Sequence, residues 1–219
     1  MIRIAILLSG RHGRGSNMQA IADACASGQI HGSIAVVIGN YADSPALARA
    51  RELGLPTQVI PSQSIKSRLG EEFYSDSLRL ALGNAQADLV CLAGYMRKVP
   101  DTVVAEYQGR LMNIHAALLP AFGGQGMYGH HIHEAVLAYG AKVSGCTVHF
   151  VDEHYDTGPI IGQSVVPVEE NDTPETLAAR VLTAEHTAYP NAVALFAEGR
   201  LSLDGRRVRI KTPPSPHHR

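Results

Sequence analysis

Short runs of apolar, β-rich residues alternate with helix-like segments through the first half of the chain, and this alternation limits the fold more than any other feature. Residues 2–8, 33–38, 57–60 and 88–92 read as strands, and 16–27, 45–53 and 66–82 carry helical spacing between them. The strands are apolar on nearly every residue, as expected where helices cover both faces of a parallel sheet. The second half differs. Residues 110–115 read as a strand, 116–129 as a long glycine- and proline-rich loop, and 130–139 as a helix. Residues 146–151 and 159–168 read as two antiparallel strands joined by a polar loop. Thr173 before Pro174 is a helix start, with a hydroxyl cap and proline in the first turn, and that helix runs towards Gly199 with Pro190 as its expected kink. The fold class expected is α/β: an open, mostly parallel, twisted, Rossmann-like sheet with flanking helices, whose C-terminal part carries antiparallel strands.

The chain has 219 residues, enough for one sizeable core. A single domain over 1–204 is expected, with halves at about 1–108 and 109–204, followed by a tail over 205–219. Lys and Arg number 19 against 20 Asp and Glu, a formal net charge of −1, so no strong field draws in nucleic acid or an anionic membrane. Three widely separated cysteines, Cys25, Cys91 and Cys146, fit a reducing compartment. The apolar N-terminus is too short for a signal peptide, and no run approaches a membrane helix. The expectation is a cytoplasmic protein, monomeric or homodimeric.

In open α/β sheets, ligands sit beyond the carboxyl ends of the strands, which directs attention to three places. Gly10-Arg11-His12-Gly13-Arg14-Gly15-Ser16-Asn17 joins the first strand to a helix N-terminus, where free N–H groups favour an anion. The segment lacks the lysine of a nucleotide-triphosphate loop, and its glycine order is not that of a dinucleotide fingerprint. A phosphomonoester fits, and a plain connector is the alternative. In Leu111-Met112-Asn113-Ile114-His115, alternation puts Asn113 and His115 on one face and the apolar residues on the other. An amide that can donate to an oxyanion thus lies beside a group that moves protons near neutrality, unless the two are a hydrogen-bonded core pair. The loop His149 to Pro159 carries three acids, and its bend at Thr157-Gly158-Pro159 leaves Asp156 able to project into the cleft or to serve as a turn residue. A carboxylate near a histidine favours the imidazolium.

These segments taken together resemble the phosphoribosylglycinamide formyltransferases, folate-dependent enzymes of purine synthesis. The resemblance runs through Gly15-Ser16-Asn17, Leu92-Ala93-Gly94-Tyr95-Met96-Arg97, Asn113-Ile114-His115, Leu118-Leu119-Pro120, Gly145 to Val151, Asp156-Thr157-Gly158-Pro159, Glu185-His186 and Tyr189-Pro190, and covers nearly the whole chain. It implies that Asn113, His115 and Asp156 are the catalytic trio, with His115 kept protonated by Asp156, for transfer of a formyl group from 10-formyltetrahydrofolate to the amine of glycinamide ribonucleotide. It implies that Gly15, Ser16 and Asn17 hold the substrate phosphate in the N-terminal half and that Glu185 contacts the glycinamide end. Arg68, Met96, Arg97, Lys98 and Val99 with Asn113 are implied folate contacts, and no metal is implied. The chain departs from the resemblance in the longer phosphate loop Arg11–Arg14, in Ala116 where proline is common, and in Lys98 and Val99 where apolar residues are common.

Other readings stay open on sequence. His130, His131 and His133 have spacing that a metal site can use. A methionyl-tRNA formyltransferase is expected to carry a further C-terminal domain and a more basic surface, and a formyltetrahydrofolate hydrolase a further N-terminal domain. A non-catalytic phosphate-ligand module would not need Asn113, His115 and Asp156.

Overall fold

The computed structural model describes residues 1–11 and 13–212. His12 of the 10–17 segment and residues 213–219 of the expected tail lie outside them. Seven strands form one sheet: β1 (Ile2–Leu8), β2 (Gly32–Gly39), β3 (Thr57–Val59), β4 (Leu89–Leu92), β5 (Leu111–His115), β6 (Val143–Phe150) and β7 (Ile160–Pro167). Their order is β3-β2-β1-β4-β5-β6-β7, and the first five are parallel. β6 pairs antiparallel with both β5 and β7. The helices are α1 (Ser16–Ala26), α2 (Pro45–Glu52), α3 (Ser62–Leu69), α4 (Glu71–Asn84), α5 (Asp101–Glu106), α6 (His130–Tyr139) and α7 (Pro174–Ala197). The α/β sheet expected from the strand–helix alternation is the one formed.

Strand alternation builds the core. Ile4, Ile6 and Leu8 of β1 pack with Met18 and Ile21 of α1 and with Tyr189 and Val193 of α7. Ala5 and Leu7 face the other way, onto Tyr74 and Leu78 of α4 and Val103 of α5. Each fully buried aliphatic side chain of this kind contributes about 1.5–3 kcal/mol. Tyr189 does more than fill space, because its hydroxyl reaches the carbonyls of Leu92 at 3.1 Å and Met112 at 3.0 Å. It thereby ties the carboxyl ends of β4 and β5 to α7. Strand order reverses between β1 and β4, and the crevice opened there lies beside the start of α1 and the 93–99 segment.

Three elements depart from the sequence reading. The helix expected over 66–82 is two helices, broken at Gly70, whose φ of 92° lies outside the helical region. α5 was not read at all. It is six residues long, and its start after Pro100 carries only Asp101 as a signal. The boundary at 204 is also corrected, because β8 (Leu201–Asp204) pairs antiparallel with β9 (Arg207–Ile210). Folded chain therefore continues to Ile210, as apolar residues at 201, 203, 208 and 210 alternate about an Asp-Gly turn signal. α7 continues through Pro190 as one helix. Among the described residues, no helix is long and apolar enough to cross a membrane.

Candidate active site

Asn113 and His115 leave the carboxyl end of β5 on one face, as alternation requires, and β6 places His149 directly across from Asn113. The ring of His149 is 1% exposed. Its Nδ1 lies 2.8 Å from the Phe150 carbonyl and donates to it. Its Nε2 is then left as an acceptor and takes a hydrogen bond from Asn113 Nδ2 at 3.2 Å. This fixes which way the Asn113 amide points and leaves its second N–H for a ligand.

His115 is 5% exposed, and its Nε2 donates to the Phe122 carbonyl at 2.8 Å. Nδ1 faces Asp156 Oδ2 at 3.5 Å. The same carboxylate oxygen accepts from the Gly124 N–H at 3.0 Å, and Oδ1 lies 3.7 Å from His149 Nε2. The three residues singled out by sequence thus converge, with His149 as a fourth. Burial pushes its pKa below the ordinary histidine value, against the opposing pull of Asp156 and the Phe122 carbonyl, while His149 adds to the lowering. Both ring nitrogens face acceptors, Nε2 the Phe122 carbonyl and Nδ1 the Asp156 carboxylate, an arrangement that suits an imidazolium. Burial raises the Asp156 carboxyl, but His149, His115 and the Gly124 N–H outweigh it and hold the group below the usual carboxylate range.

The Asp156 loop owes its shape to close backbone packing. Asp156 itself has φ 56°, a left-handed conformation that aspartate tolerates better than most residues. Gly158 lies against β6, where an added Cβ would be 1.8 Å from the Phe150 carbonyl oxygen. Gly158→Ala is therefore expected to cost about 3 kcal/mol or more, since backbone rather than a flexible side chain must yield. Denaturant unfolding measures this, and a loss under about 1 kcal/mol would show that the loop is not so held.

Two spaces meet at this cluster. A cavity of about 480 Å³ is walled by Asn17, Met96, Asn113, His115, Gln125–Tyr128, Asp156 and Glu185, among others. A narrow cleft of about 60 Å³ lies between Leu92, Arg97, Lys98, Val99, His149 and Val151–Tyr155. Tyr95, Asn113, Tyr155 and Asp156 belong to both. At the far wall of the larger space, Asn17 Nδ2 donates to Glu185 Oε2 at 2.7 Å. Glu185 is 8% exposed, and burial raises its pKa although the Asn17 bond works against this. Asn17 Oδ1 is buried with no hydrogen-bond partner. Gly15 caps α1 at φ 70°, where a Cβ would lie 3.1 Å from that of Ala46. Gly15 and Ser16 do not line the cavity, though their backbone precedes Asn17.

The implied folate contacts divide. Met96 lines the larger cavity, while Arg97, Lys98 and Val99 line the cleft. Arg97 also donates to the Tyr41 hydroxyl at 3.1 Å, and Lys98 pairs with Asp101 at 2.7 Å. Arg68 is exposed on α3 and lines neither space. His130 lies 3.5 Å from Glu134 and 3.4 Å from Glu175, and His131 3.2 Å from Glu134, while His133 is buried. Among the described residues, no group of three or more histidines, cysteines or acids is disposed to hold a metal. Sequence reading gave no site role to His149, Tyr95 or Tyr155. The alternation of Val148, His149 and Phe150 was the available signal for the first.

The family model described as formyl transferase matches residues 2–193. A chloroplastic phosphoribosylglycinamide formyltransferase of Vigna unguiculata is 42% identical over 200 residues, 91% of this chain, and the chain spans 62% of that relative's length. The phosphoribosylglycinamide formyltransferase of Escherichia coli K12 is 39% identical over 214 residues, covering 94% of this chain and 96% of its own. Among solved structures, glycinamide ribonucleotide transformylase 1 from Symbiobacterium toebii superimposes with a TM-score of 0.87 at 46% identity, covering 96% of this chain and 94% of its own.

Proposed function

Because this chain belongs to the formyl transferase family, we propose that it transfers the formyl group of 10-formyltetrahydrofolate to the amine of glycinamide ribonucleotide, giving formylglycinamide ribonucleotide and tetrahydrofolate. The observation that carries the reading is the meeting of two spaces at Asn113 and Asp156. A two-substrate transfer needs one cavity for each reactant and a shared wall where they touch. The larger cavity suits the phosphorylated amine. The start of α1 offers backbone N–H groups to the phosphate, Asn17 Oδ1 offers an unused acceptor, and Glu185 faces the amine end. The cleft suits a flat heteroaromatic ring, since Leu92, Val99 and Val151 give it apolar sides and Asp152 and the 97–99 backbone a hydrogen-bonding rim.

The folate, when bound, supplies the formyl carbon. Asn113, its amide fixed by His149, donates its free N–H to the formyl oxygen as negative charge builds there during attack by the amine. His115, with both ring nitrogens protonated, adds positive charge beside the same oxygen, and Asp156 stabilises that charge across 3.5 Å. Asp156 orders the water that takes the proton leaving the amine and passes it to the departing folate nitrogen. The carbon–nitrogen bond to the amine forms as that to the folate breaks.

Glu185 gives a separable test. Its raised pKa means that its contribution to stability is whole below about pH 4.5 and is lost as pH rises through the folded value. Glu185→Gln is therefore expected to melt about 2–4 °C higher at pH 7, the shift for roughly 1 kcal/mol, with the gain vanishing in acid. The same variant is expected to raise KM for the amine about tenfold, the loss of one charge-assisted contact. An unchanged KM would remove Glu185 from the amine site.

The function itself is tested by mixing the protein with glycinamide ribonucleotide and a 10-formyl folate and following release of the deformylated folate by absorbance. Release that requires the amine is the expected result. Release without it would make the chain a hydrolase, and no release with both present would end the proposal. The three cysteines are unpaired, which supports a reducing, cytoplasmic setting.

A further inference from the structure

The β8–β9 hairpin lies past residue 193, where the family match stops, and the transfer chemistry gives it no task. Its turn nevertheless reaches the loop that bears Asp156. Arg206 Nη2 donates to the carbonyl of Thr157, the next residue along, at 2.5 Å. Two further hydrogen bonds support the loop from within it. Thr157 Oγ1 donates to Asp152 Oδ1 at 2.7 Å, and the His154 N–H to the same oxygen at 3.2 Å. On the hairpin's other side, Leu203 packs toward Gly109, just before β5, with its Cδ1 3.4 Å from where a Cβ at Gly109 would stand. The hairpin thus touches both stretches of chain that deliver the reacting groups.

We propose that Arg206 is a positioning residue, which from outside the site holds the Asp156 carboxylate against His115 and the Gly124 N–H. A left-handed aspartate is a conformation that persists only when its surroundings constrain it. The turn of a paired hairpin is a stiffer anchor than a free tail, and a guanidinium on a carbonyl is a charge-assisted bond with fixed direction. Arg200 and Arg209 are engaged elsewhere, at 2.9 Å from Glu198 and 2.5 Å from Asp204. Only the kinetic part of the test rests on the formyl-transfer reading.

The experiment compares the parent chain with Arg206→Ala, Arg206→Lys and Arg207→Ala. It reads kcat, both KM values, melting temperature, and amide hydrogen exchange over residues 152–160. Arg206→Ala is expected to lower kcat about five- to tenfold, keep both KM values within about twofold and Tm within about 2 °C, and speed exchange over the loop. Arg206→Lys, whose ammonium can still donate to the Thr157 carbonyl, is expected to recover at least about half of the lost rate. Arg207→Ala removes the same charge one residue along and is expected to match the parent. An unchanged kcat or unchanged exchange in Arg206→Ala overturns the proposal, as does an equal loss in Arg207→Ala. Should the parent show no formyl transfer, that reading fails by itself, and the exchange comparison alone decides whether Arg206 holds the loop.

Discussion

Asp156→Asn is expected to lower kcat by roughly 10²–10⁴-fold while the chain folds as before, the range for loss of positioned proton transfer. Folding should survive because asparagine accepts the left-handed conformation at φ 56°, and its amide oxygen can still take the Gly124 N–H. What disappears is the negative charge 3.5 Å from His115 Nδ1. That charge is the main influence raising the His115 pKa against burial, so its removal should move the ring's titration to still lower pH. Nuclear magnetic resonance of the His115 ring reads this directly. A variant with rate near the parent's, or a His115 titration shifted upward, would show that the carboxylate does not act through the ring.

Asn113→Ala should cost about 10²–10³-fold in kcat, or about 2.7–4 kcal/mol, the measured worth of one well-placed oxyanion donor. KM for either substrate should change little, since the interaction strengthens only as charge develops. A second, smaller effect follows from the pairing across β5 and β6. The truncation leaves His149 Nε2 without its donor in a buried place, which should lower stability by about 1–3 kcal/mol. Steady-state kinetics and thermal unfolding separate the two effects. A loss appearing in KM alone would assign Asn113 to substrate binding and remove it from the chemistry.

The first half of the fold was legible because each strand is a short apolar run set off by glycine, serine or proline, and each helix carries its own spacing. The active residues of β5 were legible for the same local reason, since the period of two places Asn113 and His115 together. His149 was not, although its alternation with Val148 and Phe150 pointed to the shared face. Its role depends on antiparallel register across β5 and β6, which pairs residues 36 positions apart and leaves no local mark. For His115, sequence showed the carboxylate nearby but not the depth of burial, which is the larger influence on its pKa. The final hairpin did carry a local signal, Asp204-Gly205 between alternating apolar residues, which its many arginines and the proline-rich end obscured.

One physical arrangement underlies all of these expectations. A carboxylate held in a left-handed turn, an amide oriented by a buried histidine and the His115 imidazole surround the place where two separate spaces touch. A crystal structure with glycinamide ribonucleotide and a non-transferable 10-formyl folate analogue bound together tests it most directly. The account predicts the amine nitrogen in the larger cavity and the formyl carbon at the mouth of the cleft, about 3–3.5 Å apart, with Asn113 Nδ2 on the formyl oxygen and Asp156 facing His115. Both ligands fully bound with the two atoms meeting away from Asn113, or with Asp156 turned to solvent, would contradict it.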